Sequence, residues 1–273
     1  MRISLTGFGV AILWAAQVGA IPFSDTFDPG GVSGSVWTKW TGANDNLFNT
    51  SNSHNHTLGG SLSARVDAAD PAAFNGYADF GTTPVPSGQY LRADVYLFED
   101  FSNNGTNAAQ PVTNMLCLIG DTGGAVGFGT DYLQVGVVPF WPGGSQTYGF
   151  RTRYNDQIGG AGIIDSGISR KAGWTKLSIE ADPYSTGGAV RFYVDDALIG
   201  SSFRAGGNGG TFGLSQTNLR WVRLGNNSKT YENFWYDDVS VNLVPEPASV
   251  LMLGLGGLLL GGVSSRRRRP MVA

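Results

Sequence analysis

Apolar and polar positions alternate two by two along most of the middle of the chain. In Tyr90–Phe98, Leu91, Ala93, Val95 and Leu97 share one face. Arg92, Asp94 and Tyr96 take the other, with Tyr90 and Phe98 at its ends. Side chains of an extended strand point alternately to opposite faces, so this stretch predicts a strand with one face in a core. Gly173–Asp182 repeats the pattern, with Leu177, Ile179 and Ala181 on one side and Lys176, Ser178, Glu180 and Asp182 on the other. Shorter strand signals fall at Phe23–Asp28, Val36–Trp40, Ser61–Val66, Gly124–Thr130, Tyr132–Phe140, Leu219–Leu224 and Phe234–Val241. Tyr148–Tyr154 reads as a hairpin partner, and Val190–Ile199 as a hairpin turning at Asp195-Asp196. Met115–Ile119 is apolar throughout, the mark of a strand buried on both faces. No long stretch carries a 3.6-residue period. About a dozen strands punctuated by Gly, Asn and Pro predict an all-β antiparallel sandwich or barrel.

The two ends break this pattern. Arg2 precedes an almost wholly apolar run, Ile3–Ala16, and Val18-Gly19-Ala20 offers the small residues of a cleavage site, so residues 1–20 read as a secretory signal peptide. At the other end, Val244-Pro245-Glu246-Pro247 leads into an uncharged run, Ala248–Val263, and then into Arg266, Arg267, Arg268 and Arg269. The prolines lack backbone donors and end the preceding element. As one helix the sixteen-residue run reaches roughly 24 Å, somewhat short of a ~30 Å hydrocarbon core, and snorkelling arginines make up part of the mismatch. The arginine cluster belongs on the cytoplasmic side, which leaves everything before Pro245 outside.

The order Pro-Glu-Pro, apolar span, arginine cluster over residues 244–273 resembles the PEP-CTERM sorting signal of Gram-negative bacteria. That resemblance implies recognition by exosortase, an integral-membrane transpeptidase-like enzyme that removes the tail near the motif. It implies export through signal peptidase and the general secretion machinery, and initial anchoring in the inner membrane. It also implies a final place in the cell envelope or extracellular matrix, where exopolysaccharide and biofilm are made. Three further motifs, Asp25-Thr26-Phe27-Asp28, Gly173–Leu177 followed by Val190–Asp195, and Tyr236–Val241, look like the concanavalin A-like lectin/glucanase jelly roll, the fold of laminin G-like domains. In that fold the last strand closes beside the first. Asp196 stands where its hairpin usually has glycine.

Between the address labels lie 223 residues, 21–243, enough for one large sandwich, and no linker-like break divides them. They carry 13 Lys and Arg against 20 Asp and Glu, a net of about −7, which argues against nucleic acid or anionic lipid as partner. Cys117 is the only cysteine, excludes an intramolecular disulfide, and reads as a core residue. His54 and His56 lie in a polar, asparagine-rich stretch, 42–60, that reads as a solvated loop.

Catalysis finds little support. Glucanases of the resembled fold carry a Glu-x-Asp-x-(x)-Glu strand, and retaining chemistry needs two carboxyls roughly 5 Å apart. Glu180-Ala181-Asp182 starts such a pattern without a second glutamate, and no Gly-x-Ser-x-Gly elbow, Cys-His pair or phosphate loop occurs. A divergent polysaccharide-active hydrolase using Glu180 and Asp182 is the alternative, and a purely structural matrix protein a third. Binding is the better expectation. Trp141 in a Pro-Gly-Gly loop, with Tyr132, Tyr148 and Tyr154 near it in sequence, offers flat faces on which sugar rings stack. Alternation also turns Asp237 inward if Val239 and Val241 face the core, and a buried carboxylate must be paired. Asp25 or Asp28 on the neighbouring terminal strand can share a Ca2+ with Asp237 or Asp238, or turn amides can satisfy Asp237 without metal.

Overall fold

The computed structural model describes residues 22–28, 30–32, 36–39, 45–67, 73–81, 89–100, 114–120, 132–137, 147–153, 164–181, 189–203, 219–225 and 232–245. The leader, Gly124–Thr130, Trp141, Tyr154, Asp182, Glu246, Pro247, the apolar span and the arginine cluster lie outside them. The strands are β1 (Phe23–Asp25), β2 (Thr38–Lys39), β3 (Asp45–Asn46), β4 (Asn49–Ser51), β5 (Ser63–Val66), β6 (Ala73–Asp79), β7 (Gln89–Asp100) and β8 (Asn114–Gly120). They continue with β9 (Tyr132–Val137), β10 (Thr147–Arg153), β11 (Ile164–Ser169), β12 (Gly173–Ala181), β13 (Ala189–Val194), β14 (Ala197–Phe203), β15 (Leu219–Gly225) and β16 (Asn233–Pro245). No helix forms among the described residues.

Sheet I runs β14-β13-β12-β7-β16-β5-β4, with β1 also on β16. Sheet II runs β11-β10-β9-β8-β15-β6-β2, with β3 also on β6. All pairings are antiparallel except β3 with β6. The alternating residues of β7 and β12 meet across the facing sheet as read from the chain, and Leu91, Ala93, Val95, Leu97, Leu177, Ile179 and Ala181 are buried. Leu116, Leu118, Leu133, Val135, Val222 and Leu224 supply the opposite wall. Two aromatic contacts tie the layers. Phe150 stacks on Phe192 at 5.0 Å, and the Tyr236 hydroxyl donates to Asn114 Oδ1 at 2.9 Å. At the end of β15, Gly225 has φ +102°, and a Cβ there would stand 1.9 Å from the Phe74 carbonyl oxygen, so only glycine fits.

The first and last strands do lie side by side, with Phe23 opposite Val241 and Asp25 opposite Val239. The β9–β10 and β13–β14 hairpins form as read. At the second, Asp195 and Asp196 both adopt positive φ, 49° and 61°, the left-handed pair whose twist suits a two-residue hairpin. Asp195 is held there because its carboxylate accepts the Lys176 amide at 2.9 Å while its own amide donates to the Lys176 carbonyl at 2.8 Å. Aspartate tolerates the left-handed region better than most residues, and these bonds to β12 hold it in a conformation usually left to glycine.

Cys117 is buried as read, Gln134 Nε2 donates to its sulfur at 3.6 Å, and burial pushes the thiol pKa up. Two features depart from the reading. β6 and β11 form without a clear alternation in the sequence. Finally, 42–60 is not a free loop: it contributes β3 and β4, and residues 54–62 fold down onto the outward face of sheet I.

Candidate functional site

The outward face of sheet I gathers most of the molecule's chemistry. Register places Lys176 beside Tyr96, Ser178 beside Asp94, and Glu180 beside Arg92 on one flank and Arg191 on the other. Arg92 organises this row. Its Nε donates to Asp94 Oδ1 at 2.9 Å, and its two Nη groups reach Glu180 Oε1 at 2.9 Å and Asp196 Oδ1 at 2.8 Å. Its guanidinium lies 5.3 Å over the Tyr193 ring. The Tyr193 hydroxyl donates to Glu180 Oε2 at 2.7 Å, and burial, reinforced by that bond, pushes its pKa up to about 12. Glu180 thus sits in a network of cations and a phenol.

A β-bulge sets the next feature. Pairing of β16 with β7 slips between Asp237 and Ser240, and Asp238 takes φ 48°. The extra residue breaks strict alternation. Tyr236 and Val239 both enter the core, while Asp237 and Asp238 turn to the outward side. The inference that Asp237 must point into the core with Val239 therefore fails, although its carboxylate is buried. Its Oδ2 accepts the amides of His56 at 2.7 Å and Thr57 at 3.1 Å. Burial raises its pKa against the lowering effect of those bonds.

Asp238 holds the same segment from beside it, with Oδ2 at 2.6 Å from His56 Nδ1 and Oδ1 accepting from Thr57 Oγ1 at 2.5 Å. Asp28 anchors the far end, its Oδ1 accepting the amides of Ser61 and Leu62 at 3.0 and 2.9 Å and its Oδ2 accepting from Asn55. Asp25 instead takes the Phe27 amide at 2.7 Å and the Trp37 indole at 2.6 Å. Asp28, Asp237 and Asp238 thus bond to residues 55–62 and Asp25 does not, and these hydrogen bonds use oxygens a Ca2+ ion would need. Among the described residues no group of three or more His, Cys, Asp or Glu is placed to hold a metal.

The histidines lie flat on aromatic rings of sheet I. His54 stacks on Phe98 at 3.9 Å with Trp235 at its edge, and His56 on Tyr96 at 3.6 Å with Trp174 at its edge. Beside this capped patch the face stays open. A cleft of about 310 Å³ is lined by Ser24, Thr26, Asp94, Tyr96, Lys176, Asp238, Val239 and Ser240. Ser24 and Ser240 meet in register across β1 and β16. Lys176 Nζ lies 3.0 Å from Asp196 and 3.7 Å from Asp94. Carboxylates, an ammonium and hydroxyls thus converge beside an aromatic ring, which is the equipment for hydrogen-bonding a polyhydroxyl ligand.

Of the residues expected to bind sugar, Tyr148 does not share a ligand face. Its ring is in the core, and its hydroxyl donates to Glu99 at 2.6 Å while lying 3.0 Å from the Thr175 hydroxyl. Tyr132 opens β9, opposite Ile119 and Arg153. Glu99 belongs to a buried knot. Arg170 Nε donates to it at 2.6 Å while another Arg170 nitrogen pairs with Glu232. Burial raises the Glu99 pKa despite the Arg170 charge. Lys176, Asp94, Tyr96 and the serine pair went unnoticed in the chain as a site. Their outward alternation was visible in β7 and β12, but the register joining those strands was not.

Residues 243–269 match the PEP-CTERM protein-sorting motif. No curated protein matches the sequence. Among solved structures, the endo-1,3-β-glucanase of Streptomyces sioyaensis is similar at 15% identity, covering 82% of this chain and 95% of that one with a TM-score of 0.57. A pseudo β-1,3-glucanase of Mycobacterium tuberculosis, also an immunostimulatory antigen, follows at 16% identity, with 82% and 98% coverage and a TM-score of 0.48. The Bauhinia forficata lectin in complex with GalNAc has 10% identity, 82% and 98% coverage and a TM-score of 0.46. The β-sandwich shares its fold with the lectin/glucanase jelly rolls, and the PEP-CTERM sorting motif begins in its last strand. At such identities the likeness speaks for fold alone.

Proposed function

We propose that the chain is an exported envelope or matrix protein of a Gram-negative cell whose sandwich binds polysaccharide without cleaving it. The observation that carries this reading is the open cleft beside Tyr96. Its volume sits at the lower end of the range for small-ligand sites, roughly 300–1,000 Å³. Lys176 donates, Asp94 and Asp238 accept, and Ser24, Thr26 and Ser240 do both. Engagement of Glu180 by Arg92 and Tyr193 supports a scaffold role for it over acid–base work. Sorting by exosortase would bring this cleft to the cell surface, where exopolysaccharide is the abundant polyhydroxyl partner.

The test is to incubate the detergent-solubilised full chain with the host's exopolysaccharide, with and without calcium. Retention on the polymer without new reducing ends, weakened in Lys176→Ala, is the expected result. New reducing ends that vanish in Glu180→Gln would replace the binding module with a hydrolase. Retention that needs calcium would give the aspartates around residues 55–62 a metal-binding role. No retention at all would leave a structural matrix protein.

A further inference from the structure

The sorting motif does not begin beyond the folded domain. The match starts at Leu243, whereas β16 continues to Pro245. Leu243 stands opposite Leu91, Val244 opposite Tyr90 and Pro245 opposite Gln89, so the first three matched residues are rungs of the β7–β16 ladder. On its other side β16 is paired by β1 only as far as Val241. Among the described residues the last rungs therefore have β7 as their one neighbour. Pro245 has no amide proton to donate. Such a strand end is the cheapest part of a sheet to open.

We propose that exosortase processing of this chain is gated by the sandwich itself: Val244 and Pro245 must unzip from β7 before the enzyme can take the motif. A transpeptidase breaks one backbone C–N bond. The carbonyl carbon passes to its nucleophile and then to water or an amine, and the tail departs as the freed amine. The enzyme must surround the chain on both sides at that bond and its neighbours, and a strand still bonded to β7 offers one side only. Phe23 faces Val241, two residues before the matched motif begins, and the expected leader boundary at Ala20 lies three residues upstream of Phe23. Both membrane-directed segments thus depart from one end of the sandwich, which brings the processing enzyme against Gln89 and Tyr90. The gate makes removal of the tail depend on the state of the β7–β16 strand end.

The experiment follows tail removal from the full chain in exosortase-containing membranes. A Gly-Ser-Gly-Ser insert between Asn242 and Leu243 keeps the whole matched sequence but lifts it off the sheet. Processing should then be about tenfold faster or more, the ratio that a pre-equilibrium opening of a few rungs imposes. A Tyr90→Cys/Val244→Cys staple should stop processing when oxidised and restore it on reduction. Equal rates with and without the insert, or processing of the oxidised staple at the reduced rate, overturn the gate. Amide exchange at Val244 reports on the pairing without any processing. Protection in the parent chain that is lost in the insert variant supports the gate, and free exchange in the parent refutes it. Pro247→Ala separates the two readings, because indifference of processing to that change would count against the sorting motif and leave the exchange result standing.

Discussion

Glu99, Arg170 and Glu232 on one side, and Asp94, Lys176 and Asp238 on the other, are the same kinds of group put to opposite uses. In the knot, Arg170 and both glutamates are almost entirely withdrawn from water, with side-chain exposures of 6%, 0% and 7%. In the cleft, Lys176 and Asp94 keep 22% and 16%, and their partner Asp196 keeps 63%. Charges taken out of water must find one another, and their pairing becomes structural. Charges left at a surface interact weakly and can exchange a partner for a ligand. Burial decides which set can bind something from outside.

The largest effect should come from breaking the knot. Arg170→Met leaves two buried carboxylates without their cation and should cost about 3–5 kcal/mol in urea unfolding. Asp237→Ala comes next. It strips the His56 and Thr57 amides of their acceptor and should cost about 1–3 kcal/mol, while loosening the wall of the cleft. Asp237→Asn, which keeps one acceptor, should lose less.

The titration of the knot has a sign opposite to that of a surface ion pair. The folded state holds the Glu99 proton more tightly than the unfolded chain, so that group's contribution is full below the ordinary glutamate pKa of about 4.3 and is lost as pH rises through the raised value. Glu99→Gln should therefore flatten the fall in stability across that window, as followed by thermal unfolding at a series of pH values. Asp79, whose pKa is lowered by Arg220 against the effect of burial, acts the other way and loses its contribution as pH falls. At the alkaline end, Tyr193 is shifted to about 12 and buried Tyr148 and Tyr236 are shifted up as well. Phenols in the unfolded chain ionise near pH ~10, so stability should drop from there upward.

Lys176→Ala should show the smallest structural effect and the clearest functional one. Stability should change by at most about 0.5 kcal/mol, because its nearer partner, Asp196, is exposed. Retention on exopolysaccharide should weaken about tenfold, a loss of roughly 1.4 kcal/mol. A large stability loss with unchanged retention would move Lys176 from the cleft's chemistry into the scaffold.

How much of this was legible can be judged residue by residue. The period-2 runs of β7 and β12 announced their buried faces, because alternation is local and each side chain's solvent preference shows in its type. The Asp195-Asp196 turn was legible from its place between two apolar runs, although the bonds that hold it come from Lys176 on β12. β6 was hidden because its Ala-Phe-Asn-Gly-Tyr-Ala-Asp carries no clean alternation and takes its place from β15. The Asp237 inference failed because a bulge adds one residue to the count. The segment of His54 and His56 stays part-exposed, and what the chain did not show is that it rests on four aromatic rings from three distant strands.

Taken alone, the chain determined its clearly alternating strands, its sorting motif and the class of its fold, all properties read from runs of residues contiguous in sequence. Only the tertiary structure decided which charges would be buried, that Tyr148 would join the core, that a cleft would open at Lys176, and that the sorting motif would start inside a paired strand. Each of these depends on register between segments far apart in sequence. Register is set by the packing of the whole sandwich, because a slip of one residue exchanges its two faces.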